Sequence, residues 1–370
     1  MQAVKRALML LAVDAGLQGV LVASGAGADA AALARSFAEM LARIDSLSPA
    51  TESHSSQARA DFPLIDLPLN VTEDRLLGGI DLQRTIETGT NHHTRGLLAE
   101  ANGGLLFVAG VNLLDANLTD HIAAALDAGV VRVEREGMSD VFNSRFRFIG
   151  DYDAAEGEVS RHLKDRVGII LESAREDSAE EVAEAVSRAL RFERDPRGFI
   201  EEFAVETGIL QSSIFDARRR LGEIEMDSGD IRRVAEAAIS LGVEGNRADL
   251  FAVKAARANA ALAARDRVGD EDIIAAIQLV LLPRATRFPA PEETKEEANE
   301  PAAPANEGAV RDSRAGLDDS GAGDSIERTD RPIEELIVEA MDAPPPDNAL
   351  DLPRGKQARG HSGRRSQVPD

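Results

Sequence analysis

The turn formed by residues 24–31 contains the positions at which a nucleoside triphosphatase would bind phosphate. It follows an apolar run, Gly19–Ala23, and precedes a helical pattern, which is the context of the phosphate loop G-x-x-x-x-G-K-[ST]. On this template the loop positions are Ser24, Gly25, Gly27, Asp29, Ala30 and Ala31. Alanines replace the lysine and the hydroxyl residue, and Asp29 would repel a phosphate by about 4 kcal/mol at ~4 Å and an effective dielectric of ~20. A plain Gly/Ala-rich strand-to-helix turn is the alternative interpretation.

A second segment, residues 103–115 (GGLLFVAGVNLLD), has the frame of the strand that carries the acidic pair in such enzymes. Its apolar run Leu105–Ala109 is typical of a parallel strand buried on both faces. At the carboxyl end, where two carboxylates would hold the metal and polarise water, the chain has Ala109 and Gly110. The loop at residues 24–31 and the strand at residues 103–115 thus both lack the catalytic side chains and follow each other in the expected order. Together they indicate a nucleotide-binding framework without its catalytic groups.

The composition limits the partners. The 370 residues include 65 acidic and 42 basic side chains, a formal charge of -23, which argues against nucleic acid or an anionic membrane as the main partner. There is no Cys, so a disulfide framework and a thiolate metal site are excluded. The apolar residues near the start are interrupted by Asp14 and Gln18, and no membrane-length run follows. We expect a soluble, cytoplasmic protein.

The elements that would position these residues change character along the chain. Short apolar strands alternate with helical patterns up to residue 177, which predicts an α/β core with a parallel sheet. Residues 178–287 have helical periodicity throughout and predict an all-helical lid, with Asp227 and Asp270 as helix N-caps. Residues 288–352 are acidic and Pro-rich and predict a disordered linker, and residues 353–370 predict a basic, polar tail.

Several runs together resemble the AAA+ module of magnesium chelatase: TEDRLLGGIDLQRTIETG, GLLAEANGGLLFVAGVNLLD, VEREGMSDVFNSRFRFIG, HLKDRVG and the later VEGNRADL. The resemblance covers about residues 1–287. It is strongest to the D subunit, whose AAA+ module is degraded and is followed by an acidic, Pro-rich linker. The chain contains no D-x-S-x-S motif of that subunit's integrin-like domain, so we expect a truncated D subunit.

The resemblance also assigns roles to individual residues. The sensor-one position falls on Asp153, the arginine finger of L-x-D-R on Arg166, and the lid residues that face nucleotide on Arg247 and Lys254. It implies that ATP and Mg²⁺ are used by the complex while this chain binds no cofactor in its own site. For Arg166, a surface salt bridge with Asp165 or Glu158 is the alternative.

The other candidate residues favour structural interpretations. The neighbours His92 and His93 cannot converge on one ion without partners, so no metal site is predicted. Isolated His121 and His162 are expected at the surface or in the lid. The basic run 218–220 is expected to pair with carboxylates rather than phosphates.

A short amphipathic pattern interrupts the linker at residues 332–341. Its apolar positions follow helical spacing: Ile333, Leu336, Ile337, Ala340 and Met341. A helix this short is marginal alone, so a fleeting turn in a disordered tail is one interpretation. The other is a docking helix that binds a groove of the AAA+ module or of a partner subunit.

Three functions are compatible with the sequence. The first is a non-hydrolysing scaffold subunit of magnesium chelatase, forming a homo-oligomeric ring that stacks on the active ATPase subunit and acts on the porphyrin-binding subunit. The second is a catalytically active, MoxR-like AAA+ ATPase for metal-cofactor insertion. The replacement of the loop lysine, the hydroxyl residue and the acidic pair argues against this second function. A generic interaction protein that reuses the fold is a third possibility.

Overall fold

The computed structural model describes residues 2–23, 30–47, 62–79, 85–87, 94–135, 138–171, 179–288 and 331–343. The strands are β1 Gly19–Ala23, β2 Leu64–Leu67, β3 Leu105–Val108, β4 Val130–Arg135, β5 Met138–Asn143, β6 Arg147–Tyr152 and β7 Ile169–Leu171. The helices of the core are α1 Gln2–Val13, α2 Ala30–Leu47, α3 Glu73–Leu77, α4 Leu97–Glu100, α5 Ala116–Ala128 and α6 Arg161–Lys164. Those that follow are α7 Ala179–Arg194, α8 Pro196–Glu202, α9 Ala204–Arg220, α10 Ser228–Ser240, α11 Arg247–Leu262, α12 Asp270–Ala276 and α13 Ile333–Asp342. Short 3₁₀ turns cover Ala15–Leu17, Val111–Leu113 and Leu282–Arg284, and a π-helical segment covers Ile277–Leu281.

Five strands form one parallel sheet in the order β2-β3-β6-β1-β7. Strand β1 lies between β6 and β7, with Val20 opposite Ile149 and Ile169. Every residue of β1, β3 and β7 is buried, because helices cover both faces of the sheet. The predicted α/β core is therefore confirmed. Its strands are apolar throughout because both of their faces are buried.

Strand β4 lies outside the parallel sheet that the alternation of strands and helices predicted for it. It pairs antiparallel with β5, a strand that the sequence had not indicated, and the two form a separate hairpin. The alternation within β4 is as expected, since Val131 and Val133 are buried while Arg132 and Glu134 are exposed. A strand with one solvated face suits a two-stranded ribbon better than a buried sheet.

Two predicted helices have different bounds in the structure. The apolar spacing of residues 112–128 predicts one helix, which in the structure begins at Ala116, where the Asp115 side chain accepts a hydrogen bond from the Asn117 N–H. The periodicity of residues 196–221 predicts a second helix, which is divided at Phe203 into α8 and α9. Asp227 caps α10 as predicted, whereas α12 is capped at Gly269 and Asp270 is its first residue.

The helical lid is built around α11, which is buried along most of its length. Its small residues let neighbouring helices approach closely, and the buried ones include Ala252, Ala255, Ala256, Ala258 and Ala260. Helix α1 contacts α9 and α11 of the lid and also β1 and β7 of the sheet. The core and the lid therefore share one apolar interior, with α1 between them.

A buried polar network ties α1 to the lid. The Arg6 Nε atom donates to Asn259 Oδ1 at 2.8 Å, and Asn259 Nδ2 donates to Asp272 Oδ1 at 2.8 Å. Asp272, which has no exposed surface, also accepts from Arg265 Nη2 at 2.5 Å and from the Gly269 N–H at 2.9 Å. Burial raises the pKa of the Asp272 carboxyl against the opposing effect of these hydrogen bonds, and burial lowers the pKa of Arg6.

We predict that Asp272→Ala destabilises the fold by about 3–5 kcal/mol, because it removes the buried carboxylate that pairs with Arg265 and accepts from Asn259 beside the buried Arg6. The matched control is Glu271→Ala, since Glu271 pairs with the same Arg265 at 2.7 Å but its side chain is 80% exposed. An exposed pair of this kind contributes about 0–1 kcal/mol. Urea unfolding followed by circular dichroism compares the two variants, and equal losses would contradict the assignment of the network as a buried anchor.

Helix α13 packs on the lid of the same chain. Four of its five predicted apolar positions are buried, namely Ile333, Leu336, Ile337 and Ala340, against α10, α12 and the π-helical segment. Gln278 Nε2 donates to the carbonyls of Ala340 at 2.9 Å and Ala343 at 3.2 Å, which fixes the end of the helix. Helix α13 thus lies in a groove of the AAA+ module of the same chain, as one of the two alternatives of the docking-helix hypothesis requires.

We predict that Leu336→Glu releases α13 from the lid, because a carboxylate replaces a side chain with no exposed surface. Val338→Glu is the control, since Val338 is on the same helix and is 40% exposed. Hydrogen exchange at residues 333–342 should lose its protection in the first variant and keep it in the second. Protection retained in Leu336→Glu would show that this contact does not hold the helix.

Candidate functional site

The carboxyl edge of the sheet is where a nucleotide would bind in this fold. Strand β1 ends at Ala23, and the loop positions Ser24, Gly25, Gly27 and Asp29 lie outside the described residues. Ala30 and Ala31, at the lysine and hydroxyl positions, are the first residues of α2 and pack partly buried against the core. A methyl group packed on the interior supplies neither a cation nor a metal ligand to this edge.

The end of β3 contributes backbone rather than side chains. Ala109 is exposed, and Gly110 adopts a left-handed conformation with φ 64°. The Gly110 N–H donates to Asp151 Oδ1 at 2.6 Å. The carboxylate at this edge therefore belongs to β6, where Asp151 is opposite Val22 of β1. Its hydrogen-bond donor, Gly110, lies at the end of β3, where an active enzyme would carry the acidic pair.

Asp153, which the resemblance assigns to the sensor-one position, forms a turn through its side chain. Asp153 follows β6, and its Oδ1 accepts from the Ala155 N–H at 2.9 Å. Its carbonyl accepts from Asn112 Nδ2 at 2.9 Å. With Asp151 and Asp153 this edge presents two carboxylates, so its electrostatics disfavour an anionic ligand.

Arg166 lies at the opposite, amino edge of the sheet, between α6 and β7. Its Nε atom donates to Asp127 Oδ2 at 2.6 Å, and its Nη1 atom donates to the His162 carbonyl at 2.7 Å. A salt bridge therefore exists, but its partner is Asp127 at the end of α5 and neither of the acids that the sequence suggested. The side chain of Arg166 remains 20% exposed.

The two lid residues assigned to nucleotide are at this same edge. Arg247, the first residue of α11, donates through Nη1 to Asp127 Oδ1 at 2.8 Å. Lys254 donates to the Gly16 carbonyl at 2.9 Å, three residues before β1 begins. Both contacts lie at the amino edge, so neither side chain lies at the carboxyl edge, where β1 ends at Ala23.

A cavity of about 690 Å³ separates the segment around α6 from the lid. Cationic side chains on its wall include Arg161, Lys164, Arg166 and Arg284. Arg284 donates to the carbonyls of Val280 at 2.7 Å and Lys164 at 3.0 Å, and burial lowers its pKa to about 10. Arg284 therefore fastens the arginine-bearing segment to the lid, and the cavity beside it is basic.

The remaining candidates have structural roles or lie outside the described residues. His92 and His93 are in the latter group. Within the described ranges, no group of three or more His, Cys, Asp or Glu side chains could hold a metal ion. Arg218 pairs with Asp45 at 2.5 Å and donates to the Ala12 carbonyl, as the expectation of carboxylate pairing required. In the same part of the chain, no helix has the length and apolar character needed to cross a membrane.

Together the parallel sheet and the helical lid define the class of the protein. The family described as AAA lid domain matches residues 231–304, which begin in α10 and continue through α11 and α12. The chain is therefore an AAA+ module, with an α/β core followed by its lid.

Comparison with similar proteins identifies the family within the AAA+ class. The magnesium-chelatase 67 kDa subunit of Chlorobaculum parvum is 38% identical over 100% of this chain and 57% of its own length. The magnesium-chelatase 38 kDa subunit of Rhodobacter capsulatus is 32% identical over 77% of this chain and 85% of its own length. The chain belongs to the magnesium chelatase subunit family, and these matches do not favour the MoxR-like alternative.

The chain spans little more than half the length of the 67 kDa relative. A solved structure titled as a complex between subunits BchI and BchD of magnesium chelatase is 30% identical, covering 78% of this chain and 94% of its own, with a TM-score of 0.39.

Sequence reasoning missed Asp127 and Asp151, the two carboxylates that organise these edges. Neither lies in a recognisable motif, and their partners are 39 to 120 residues away in the chain. Only the position of Asp127 in the last turn of a predicted helix, where a carboxylate is unfavourable, could have drawn attention to it.

Proposed function

We propose that the chain is the non-hydrolysing AAA+ subunit of a cytoplasmic magnesium chelatase. It assembles as a ring with the active ATPase subunit and couples that subunit's ATP hydrolysis, through the porphyrin-binding subunit, to insertion of Mg²⁺ into protoporphyrin IX. One observation carries the proposal. The carboxyl edge has lost its catalytic side chains, whereas the amino edge keeps Arg166 in an ordered, partly exposed position.

The state of the carboxyl edge supports the absence of hydrolysis. Phosphoryl transfer depends on a lysine, a metal and a positioned water to stabilise the transition-state charge. The chain has Ala30, Ala31, Ala109 and Gly110 at the positions that would supply the lysine, the hydroxyl and the carboxylates. ATP and Mg²⁺ are then handled by the partner ATPase.

The position of Arg166 supports an action on a neighbour. A side chain at the amino edge cannot reach a nucleotide at the carboxyl edge of its own sheet. In a ring with head-to-tail contacts, two different faces of adjacent subunits meet, so the amino edge of one chain can face the nucleotide of the next. An arginine there would stabilise the charge that develops on the transferred phosphoryl group.

The relatives support the identity of the partners. One is named as a 67 kDa subunit and another as a 38 kDa subunit of magnesium chelatase, and this chain is similar to both. Two related AAA+ subunits of one enzyme would be expected to share interface geometry. We therefore place the active ATPase subunit beside Arg166.

We predict no ATP turnover by the purified chain, because the groups that stabilise phosphoryl transfer are replaced. Phosphate release should equal that of a buffer control, with or without Mg²⁺. The decisive control is a substitution in the loop, Asp29→Ala. Turnover that is present in the parent chain and changes with this substitution would contradict the prediction.

We predict that Arg166→Ala lowers ATP turnover of the mixed complex by about 10³-fold, the lower end of the range for arginines supplied in trans. Arg161→Ala is the matched control, since Arg161 lines the same cavity but pairs with Glu244 and is 83% exposed. Sedimentation of the complex should be unchanged in both variants. Normal turnover with Ala at 166 would remove the finger assignment.

A further inference from the structure

Asp127 occupies a place that helix electrostatics disfavour. It lies in the last turn of α5, which Gly129 ends in a left-handed conformation with φ 64°. Unpaired carbonyls make the carboxyl end of a helix partly negative, so a carboxylate there is repelled unless cations compensate. A residue that conflicts with its local environment often serves a site elsewhere.

The two oxygens of Asp127 each accept from a different arginine. Oδ2 accepts from Arg166 at 2.6 Å, in the segment before β7, and Oδ1 accepts from Arg247 at 2.8 Å, at the start of lid helix α11. The side chain of Asp127 is 33% exposed, so this bridge contributes little to stability. Its consequence is geometric, because it fixes three side chains from three elements relative to one another.

The contacts of Arg166 hold the plane of its guanidinium. Nε binds Asp127 and Nη1 binds the His162 carbonyl, two points that define the orientation of the planar group. Nη2 has no hydrogen-bond partner within the described residues. Contacts within its own chain therefore hold Arg166 through Nε and Nη1. The N–H groups of Nη2 remain available to donate to a ligand.

Two carboxylates face the two guanidinium groups of this cluster. Arg247 Nη1 lies 2.8 Å from Asp127 Oδ1 and 3.9 Å from Asp165 Oδ2, so the cluster by itself is close to neutral. Positive charge at this edge comes from Lys164 and Arg284 on the same cavity wall. Arg247 shares the charge of Asp127, so Asp127 can orient Arg166 without being paired with it alone.

We propose that Asp127 is the positioning residue of Arg166, and that Arg247 of the lid holds Asp127 in place. This inference rests on the proposed function, in which Arg166 meets the nucleotide of a neighbouring subunit. A guanidinium oriented before the neighbour arrives does not have to reorganise as charge develops on the phosphoryl group. The lid and the arginine are coupled through this one carboxylate.

The test is a double-mutant cycle in the mixed complex of the full chain with the active ATPase subunit. The variants are Asp127→Asn, Arg166→Ala and the pair together, with kcat and KM for MgATP measured separately. Asp120→Asn is the matched control, since Asp120 is exposed on the same helix two turns earlier. Sedimentation and circular dichroism verify assembly and folding of each variant.

We expect Asp127→Asn to lower kcat about 10- to 100-fold with KM unchanged, since small misplacements of a catalytic group have effects of this size. In the Arg166→Ala background the same change should have no effect, and Asp120→Asn should resemble the parent. Arg247→Ala should lower kcat less than Asp127→Asn and should add nothing to it.

The outcomes separate this inference from the proposed function. The positioning role is overturned if Asp127→Asn lowers kcat equally in the parent and in the Arg166→Ala background. It is also overturned if Asp127→Asn prevents assembly of the complex and Arg247→Ala leaves kcat unchanged. If Arg166→Ala lowers kcat and Asp127→Asn does not, the arginine finger stands and the positioning role fails. If Arg166→Ala has no effect, the proposed function fails and this inference fails with it.

Discussion

The attachment of the lid to α1 is the constraint on which the arrangement of the molecule depends. Arg6 reaches from α1 into the lid and donates to Asn259, which in turn donates to the fully buried Asp272. Arg6 Nη1 and Arg265 Nε already lack partners within the described residues, so a departure from this geometry would leave further buried polar groups unpaired. Helix α11 carries both Asn259 and Arg247, so fixing one end of the helix also fixes where its first residue lies. The contact between Arg247 and Asp127 at the amino edge follows from that anchoring.

The two edges of the sheet consequently have opposite electrostatic character. The carboxyl edge presents Asp151 and Asp153, while the amino edge presents Arg166 and a cavity walled by Arg161, Lys164 and Arg284. In a parallel sheet these edges are separated by the length of the strands and cannot serve the same ligand. Loss of the nucleotide-binding groups at one edge therefore leaves the chemistry of the other edge intact. The proposed function requires this asymmetry, since in it the chain assists a neighbour's reaction without performing one.

Local patterns predicted the framework well. The run LLFV gave β3, because a strand buried on both faces must be apolar throughout, and Asp227 was identified as a cap because its side chain satisfies a free amide of α10. The assignment of residues 24–31 to a degenerate phosphate loop stays a prediction, since residues 24–29 lie outside the described part of the chain. Contacts between distant residues were not, since Arg6 and Asn259 are 253 residues apart and neither has a local pattern that names the other. Strand β5 was missed because MSDVFN has no sustained alternation, and its pairing with β4 determines its conformation.

The packing of α13 on the lid brings together parts of the chain that are about 50 residues apart, and the entropic cost of such a contact grows only slowly with the separation, as (3/2)RT ln n plus a constant. The length-dependent part of this cost is about 3 kcal/mol. Burial of Leu336, Ile337 and Ile333 at about 1.5–3 kcal/mol each can exceed it. Because the helix is tethered, it meets its groove at a local concentration on the order of millimolar, far above that of a free peptide. A free helix with the same apolar pattern would have to compete against this tether. The covalent connection thus makes α13 an intramolecular ligand of the lid, and Ala343, the last described residue, lies against Gln278 of the lid.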